Sequence, residues 1–303
     1  MKELRITTSQ IAKICNVSQG TVDRALNNRS DIKAETKQKI LEVARQYGYR
    51  DEIKSVYPER IVGQIGIVVF NLNNVYFSEL ITEVEYSLRS EGYGTTVMMS
   101  HYDKQCEIEC IRNLYNMGVD GIILCSVNSG KEFENYLKLF DIPIVAVGNR
   151  IDFLPYVGID DFAAMREMTV EVIRRTPDRI IYFSPALNYP DAVAQRERYE
   201  GFLSAVGNIP YSVVTDIDSI KDSYDGNTVV MCSNDYYAMQ VYFRTQGAKV
   251  IGFDNTKAIE KFRLNIDSVG YSMSEIARGA VGIIMNKSKE SIDVPYFISQ
   301  HNY

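Results

Sequence analysis

The chain of 303 residues is short of the side chains that most often carry chemistry. It has two histidines, His101 and His301, which leaves imidazole catalysis and metal ligation few candidates. It has five cysteines, an odd number, and no CxxC pair. Cys15, Cys125 and Cys232 stand alone, and Cys106 and Cys110 lie four apart, the spacing of one helix face. A disulfide framework is excluded, and no zinc signature remains, so no metal is expected. There is no GxGxxG after a strand, no GxxxxGK[ST], no HExxH and no GxSxG, so dinucleotide, P-loop, zinc-protease and serine-hydrolase readings fail. No catalytic set and no cofactor are therefore expected. Long apolar runs are missing too: Gln64–Phe70 falls far short of the ~18 residues of a membrane span. Thr7, Thr8, Ser9 and Gln10 stand where a secretory leader would need its apolar segment. A cytoplasmic protein without a membrane partner is the expectation. No internal repeat or low-complexity tract is visible.

What is present is ordinary in amount and uneven in placement. Hydrophobic residues make up 46 % and charged residues 24 %, which excludes wholesale disorder. At ~150 residues per domain the length suggests about two domains. The net charge is −6, yet residues 1–60 carry 12 Lys and Arg against 8 Asp and Glu, a net of +4, leaving −10 for the rest. A small basic head on a large acidic body is the asymmetry expected where one end meets a polyanion.

The first fifty residues read as three short helices. Ser9 is placed to cap the first, with Ile11, Ala12, Ile14 and Cys15 inward, and Asn16 tolerates the left-handed turn that ends it. Ser18 is placed to cap a second helix over Gln19–Leu26, with Val22, Ala25 and Leu26 inward. A third, Ala34–Tyr47, would bury Ile40, Leu41 and Ala44 and stop at Gly48. Two helices joined by a tight turn and braced by a third form a helix-turn-helix. Residues 49–61 are charged, weakly periodic and contain Pro58, as a linker would.

From Val62 onward short β-branched runs alternate with helical stretches, the signature of a parallel α/β sheet. Strands are expected at Gln64–Phe70, Thr95–Met99, Gly121–Leu124, Ile144–Val147, Arg179–Phe183, Tyr211–Val214, Thr228–Met231 and Lys249–Phe253. Roughly 240 residues is large for one doubly wound unit, so two lobes are expected. Ligands of such sheets bind beyond the carboxyl ends of strands. There the sequence places Asn74, Tyr76 and Phe77, then Asn149 and Arg150, then Asp160 and Asp161, then Asn234, then Asp254. Amides, carboxylates, arginine and aromatics in these places suit a sugar or another small polar ligand. Any one of the Asn or Asp residues also suits a helix cap. The residues alone leave three functions open: a ligand-controlled DNA-binding protein, a stand-alone solute-binding protein for uptake, and an α/β enzyme such as a sugar-phosphate isomerase.

The run Ile11-Ala12-Lys13-Ile14-Cys15-Asn16-Val17-Ser18-Gln19-Gly20-Thr21-Val22-Asp23-Arg24-Ala25-Leu26-Asn27 closely resembles the head of lactose-repressor (LacI) family regulators. Their pattern is I/V-A-x-x-A-G-V-S-x-x-T-V-S-R-x-L-N. The body adds Asn73-Asn74-Val75-Tyr76-Phe77, similar to N-N-P-F-F, and Arg196-Glu197-Arg198-Tyr199-Glu200-Gly201-Phe202, similar to R-x-R-x-x-G-F. Ser233-Asn234-Asp235 and Gly252-Phe253-Asp254 resemble effector-contacting segments of the same family.

The resemblance implies an all-α helix-turn-helix head plus an α/β periplasmic-binding-protein-like body of two doubly wound parallel-sheet lobes. It divides the chain into a head at 1–48, a hinge at 49–61 and an effector-binding and dimerisation body at 62–303. Lobe 1 would span about 62–160 and 270–290, and lobe 2 about 161–269 and 291–303. The implied protein is a homodimeric, sequence-specific transcriptional repressor controlled by a small effector, a carbohydrate in the family's manner, and its partners are double-stranded operator DNA and that effector. Gln19, Gly20 and Arg24 fall at base-reading positions, and Thr7, Thr8, Ser18, Thr21, Asn27 and Arg29 complete the implied DNA-binding set. The implied effector set is Asn74, Tyr76, Phe77, Asn149, Arg150, Asp160, Arg198, Asn234, Asp254 and Tyr271. The chain departs from the pattern at Asp23, where serine is usual, and at the hinge. There Ser55-Val56-Tyr57-Pro58 replaces A-R-x-L, so Val56 or Tyr57 stands in place of the minor-groove wedge. Asn149 stands where aspartate is common, and Tyr271 near a usual glutamine.

Overall fold

A computed structural model describes residues 6–26, 29, 32–47, 49, 61–189 and 191–301. Contacts divide the chain into one compact unit over Met1–Glu59 and another over Arg60–Tyr303.

The first unit holds helices α1 (Thr8–Cys15), α2 (Gln19–Leu26) and α3 (Ala34–Gln46). Thr7, two residues before the expected Ser9, caps α1. The reason is a capping box: Gln10 N–H donates to Thr7 Oγ1 at 3.2 Å, and Thr7 N–H donates to Gln10 Oε1 at 2.7 Å. Ser9 has Ala12 at the third following position and cannot close such a box. Asn16 takes the left-handed conformation, φ 56°, that ends the helix. Ser18 Oγ accepts from the Thr21 N–H at 3.2 Å and caps α2. Ile11, Ala12, Cys15, Val22, Ala25, Ile40 and Ala44 form the core. Ile14, expected inward, is 47 % exposed. It lies about a quarter-turn off the stripe that Ile11, Ala12 and Cys15 share. Gly48, Asn27 and the hinge residues Val56 and Tyr57 lie outside the described residues.

The second unit is built on two six-stranded sheets. The first contains β1 (Gly63–Val69), β2 (Tyr93–Met99), β3 (Gly121–Leu124), β4 (Ile144–Val147), β5 (Tyr156–Gly158) and β11 (Ile292–Asp293), in the order 11-5-4-3-1-2. The second contains β6 (Arg179–Phe183), β7 (Tyr211–Val214), β8 (Ser223–Cys232), β9 (Gln246–Asp254), β10 (Ile266–Tyr271) and β12 (Tyr296–Ser299), in the order 12-10-9-8-6-7. All neighbours run parallel except β10 and β12. Each lobe thus repeats one winding, with its direction reversing between β1 and β3 or between β6 and β8, although no sequence repeat announces it.

Alternation along the strands buries both faces of each sheet. In the first lobe Ile65, Ile67 and Val69 meet α4 (Val75–Ser90) and α11 (Met273–Asn286). Val68, Ile122 and Leu124 face α5 (Lys104–Asn116) and α6 (Lys131–Leu137). In the second, Ile180, Tyr182, Val229 and Met231 pack with α7 (Asp161–Ile173) and α8 (Val193–Ala205). Ile181, Phe183 and Val230 pack with α9 (Asp235–Arg244) and α10 (Lys257–Lys261).

The chain passes between lobes after β5, after β10 and after β11. The last passage divides the 291–303 segment expected wholly in lobe 2: Ile292 and Asp293 pair with Val157 and Gly158 of the first sheet before β12 joins the second. Two residues are too few to show a strand period. Strand β10, between the expected elements, adds Ile266–Tyr271 to the second sheet beside β9. Among the described residues no helix is long and apolar enough to cross a membrane.

Candidate functional site

In the head, Val22 and Ala25 turn α2 inward, which leaves Gln19, Gly20, Asp23 and Arg24 exposed on its other side. Gln19 Nε2 donates to Thr8 Oγ1 at 2.8 Å, tying the start of α2 to the start of α1. Arg24 Nε donates to the Gly20 carbonyl oxygen at 3.0 Å, so the guanidinium lies along the helix surface. Ser18 and Thr21 share a hydroxyl hydrogen bond of 2.8 Å, and Thr7 is exposed beside the α1 cap. Gly20 is not demanded by packing. A Cβ there would meet only Ser18 Oγ, at 3.9 Å, so the missing side chain shapes the outer surface of α2 rather than the core. Arg29 is exposed, and Asn27 lies outside the described residues.

In the body, Arg198 on α8 organises the carboxyl ends of the second lobe's strands. It is 7 % exposed. Its Nε donates to Asp161 Oδ1 at 2.7 Å and its Nη1 to the Ser233 carbonyl oxygen at 2.6 Å. Nη1 also lies 3.4 Å from Asp254 Oδ1, and the guanidinium carbon sits 3.7 Å from the Phe253 ring centroid. A lone charge at this depth would cost several kcal/mol. Here two carboxylates, a carbonyl and a ring face compensate it. Burial pulls the Arg198 pKa down, but Asp161 and Asp254 reverse the effect and leave it raised, so the side chain stays cationic.

Burial also lifts Asp161 and Asp254 above the ordinary carboxylate range, with Arg198 opposing the rise in both. Asp254 Oδ1 accepts from the Tyr271 hydroxyl at 2.9 Å. Asp254 and Asn255 are both left-handed, φ 106° and 45°, a conformation that costs about 1–3 kcal/mol per non-glycine residue and gathers at functional sites. From the first lobe Tyr76 completes the group. Burial raises its hydroxyl pKa well above the usual value, and Asp254 and Arg198 act on it across the lobes.

Six buried polar atoms of the second lobe have no hydrogen-bond partner among the described residues: the Tyr182 hydroxyl, Ser184 Oγ, Gln195 Oε1, Ser233 Oγ, Thr245 Oγ1 and Thr256 Oγ1, of which Ser233 also meets Arg198 through its carbonyl oxygen. Ser184 and Ser233 follow β6 and β8, the strands between which the winding reverses. An unmatched buried hydroxyl costs about 1–3 kcal/mol, so such a cluster needs a reason. A ligand rich in hydroxyl groups supplies one.

The other expected residues make contacts within the protein. Asn74 caps α4, accepting from the Tyr76 N–H at 3.1 Å, and Asn234 caps α9, accepting from the Tyr237 N–H at 2.9 Å. Phe77 lies in the core, edge-on to Phe70 at 5.0 Å. Asn149 bridges the lobes: its Nδ2 donates to the Ser126 carbonyl oxygen at 2.7 Å, and its Oδ1 accepts from the Ala194 N–H at 3.1 Å. Arg150 pairs with Asp293 at 2.9 Å and lies 4.0 Å over the Tyr156 ring. Of the adjacent acids, Asp160 is the exposed cap of α7 and Asp161 is the one that reaches Arg198.

The implied effector set leaves out Asp161, which stands among the strand-end residues, and Asp235, which lies in an effector-like segment; the oxygens of Asp235 accept from the Thr256 N–H at 2.6 Å and from Ser268 Oγ at 2.7 Å. Helix phase was the available signal. Asp161 shares a stripe with Ala164, Met165 and Met168, and Asp235 with Ala238 and Val241, so each carboxylate points where the apolar face points. Among the described residues no group of His, Cys, Asp and Glu is arranged to hold a metal ion.

Comparison with known proteins places these features. A family model described as bacterial regulatory proteins, lacI family, matches residues 7–52. A second, described as periplasmic binding proteins and sugar binding domain of LacI family, matches residues 62–269. The NTD biosynthesis operon regulator NtdR of Bacillus subtilis (strain 168) is 27 % identical over 300 residues, covering 91 % of this chain and 90 % of that one. A LacI-family transcriptional regulator from Silicibacter pomeroyi superposes with a TM-score of 0.63 at 20 % identity, covering 98 % of each chain. The transcriptional regulator CelR in its cellobiose complex gives 0.60 at 18 % identity, covering 98 % of this chain and 100 % of that one. With one family model over its helical head and another over most of its two-lobed body, the chain belongs to the LacI family of DNA-binding transcriptional regulators, whose bodies are sugar-binding domains.

Proposed function

We propose that this protein is a cytoplasmic, homodimeric repressor whose grip on operator DNA is set by a small sugar or sugar derivative held between the lobes. The observation that carries the ligand half is the Arg198 group: one buried cation shared by Asp161 and Asp254, beside buried hydroxyls that lack partners. Sugar hydroxyls both donate and accept, so they can bond to carboxylate, guanidinium and hydroxyl in one pose. Tyr76 and Tyr271 supply ring faces to the same ligand. That CelR is seen with cellobiose supports a carbohydrate of this kind.

In the DNA half, Gln19 and Arg24 read bases from the major groove, and Gly20 leaves room for the groove edge to approach. Thr7, Thr8, Ser18, Thr21, Asn27 and Arg29 hold phosphates. Two heads of one dimer engage half-sites about one helical turn apart, ~34–36 Å or a multiple of it. A ligand that prefers one closure of the lobes biases the spacing of the heads by its difference in affinity for the two closures.

The test has two arms. Sugars are screened by thermal shift on the full chain. A ligand at 100 times its dissociation constant adds ~2.7 kcal/mol to stability. Each sugar that binds is then added to operator selected from random duplexes, and DNA retardation is expected to change. A full chain that retards no duplex in dilute salt would defeat the reading. For Arg24→Ala the expectation is a loss of roughly 1–3 kcal/mol on operator relative to random DNA. Equal loss on both would show that Arg24 reads no base.

A further inference from the structure

Asp23 is the one acidic residue of α2, and it is exposed. Serine is usual at this place in the family pattern, so the carboxylate belongs to this chain in particular. On a surface that approaches DNA a carboxylate is unfavourable by default. The duplex carries one negative charge per ~1.7 Å of axis, and every duplex repels Asp23 alike. Serine in its place would not be repelled. Specificity is a difference of affinities, so a residue that weakens binding everywhere sharpens recognition only where chosen sites restore what it removes.

Helix phase decides where the carboxylate stands. At 3.6 residues per turn each residue advances about 100°. Val22 and Ala25 are buried and define the inner side of α2. Gly20 falls almost opposite them, at the crest of the outer side. Asp23 lies about 60° to one side of that crest and Arg24 about 40° to the other. A Cβ at Gly20 would meet only Ser18 Oγ, at 3.9 Å, so the crest is bare for want of a side chain and not because packing forbids one. The outer side of α2 is thus a low ridge with a carboxylate on one flank and a guanidinium on the other.

The neighbouring contacts sharpen this arrangement. Arg24 Nε donates to the Gly20 carbonyl oxygen at 3.0 Å, so the fork that can meet a base is the outer pair, Nη1 and Nη2. Gln19, beyond Asp23 on the same flank, is drawn back to Thr8 Oγ1 by its Nε2 at 2.8 Å. An acceptor and a donor therefore flank the glycine. A G·C pair offers the matching set in the major groove: guanine N7 and O6 accept, and the cytosine N4 amino group donates. Adenine N6 donates too, but the acceptor N7 beside it meets a carboxylate that has no proton to give.

We propose that Asp23 is a specificity-determining residue. It accepts a hydrogen bond from the N4 amino group of a cytosine in each operator half-site, in or next to the base pair whose guanine Arg24 reads. This rests on the DNA-binding reading above and adds to it a base contact made by an acid.

The experiment is selection of operator from random duplexes by the full chain, by Asp23→Ser and by Arg24→Ala, followed by affinity measurements at one salt concentration. The unaltered chain is expected to select a cytosine that Asp23→Ser does not. The guanine that Arg24→Ala ceases to select is expected to survive in Asp23→Ser. At the cytosine position a preference of about tenfold falls to about twofold or less in Asp23→Ser, while random duplex binds this variant more tightly. Methylation of that cytosine at N4 keeps the G·C pair and removes the donor from the groove. It is expected to weaken the unaltered chain about tenfold and to leave Asp23→Ser unchanged. The modified duplex probes the unaltered protein, so this arm does not depend on how a variant folds. If Asp23→Ser keeps every base preference and binds all duplexes more tightly, Asp23 only repels, and the proposal is overturned. Indifference of the unaltered chain to the N4 methyl group overturns it as well. So does loss of the guanine together with the cytosine in Asp23→Ser, because Asp23 would then act by placing Arg24. An operator selected without an Asp23-dependent cytosine defeats this proposal alone, whereas a full chain that selects no duplex defeats the DNA-binding reading with it.

Discussion

The two lobes of the body share one winding of strands and have opposite chemistry at its open end. In the first lobe the strand ends carry rings and caps: Phe70, Asn74, Tyr76 and Tyr102. In the second they carry a carboxylate and unmatched hydroxyls, Asp254, Ser184 and Ser233, joined by Arg198 from α8 and Asp161 from the start of α7. Each lobe also has one strand followed by two successive left-handed residues, His101–Tyr102 in the first and Asp254–Asn255 in the second. The same scaffold thus strains its backbone in both halves. One half uses the strain to aim a ring, and the other to aim a carboxylate. Topology fixes where the site is, and the side chains at the strand ends decide what it recognises.

The sharpest way to break the comparison is to empty the polar half. Arg198→Ala leaves Asp161 and Asp254 buried without their shared cation. Removal of one partner from a buried ion cluster typically costs about 3–5 kcal/mol. Urea unfolding of the full chain is expected to show a loss of that order, together with loss of any sugar-induced thermal shift. Tyr76→Phe, on the aromatic side, is expected to leave stability within ~1 kcal/mol. It should weaken sugar binding only by what its hydroxyl contributes. Equal stability losses for the two variants would mean that the lobes do not divide the labour in this way.

A milder perturbation uses pH. Asp235 and Asp254 are both raised above the ordinary carboxylate range, burial being the larger cause, and Asp254 adds to the rise of Asp235. The folded protein therefore holds protons that the unfolded chain has released. Stability from these groups is full below the unfolded pKa of about 4 and declines as pH climbs through the folded values. The unfolding midpoint is expected to fall between about pH 5 and about pH 8. Asp235→Asn can keep the Thr256 N–H on its oxygen and turn its amide to Ser268, and it should flatten that slope. A slope unchanged in the variant would show that Asp235 is already ionised throughout this range.

Much of this was legible in the sequence, for reasons that particular residues make plain. The α2 pattern, the parallel alternation and Asp254 at a strand end were visible, because period and strand-end position are local properties, whereas Arg198, on a helix, stood out only through the family resemblance. Strand β10 was hidden because Asp267 and Ser268 sit at its centre. The fold makes them acceptable only at long range, through Arg175 and Lys249 on Asp267 and through Asp235 on Ser268. Asn149 shows a related limit: its amide sits at a strand end, and its partners, Ser126 and Ala194, come from two different lobes. Side chains whose partners are distant in sequence advertise their chemistry without revealing who receives it.

The smallest expected effect tests whether the halves communicate by moving. On α4, Glu83 Oε1 accepts from Lys257 Nζ at 3.1 Å, and Glu79 Oε1 accepts from the Lys257 N–H at 2.8 Å, so the aromatic lobe holds the start of α10 in the polar lobe. Lys257 Nζ is more than half exposed, which limits the ion pair to about 0.2–1 kcal/mol. Glu83→Gln should therefore barely move the unfolding midpoint. The pair nevertheless spans the cleft, so its loss acts on the balance between closed and open lobes, where even a fraction of a kcal/mol changes populations measurably. If sugar binding draws the lobes together, Glu83→Gln weakens it by about two- to fivefold with no change in the affinity of Arg24-dependent DNA contacts in the absence of sugar. An unchanged sugar affinity would mean that the lobes are already fixed in one closure, and that the signal to the heads does not travel by their relative motion.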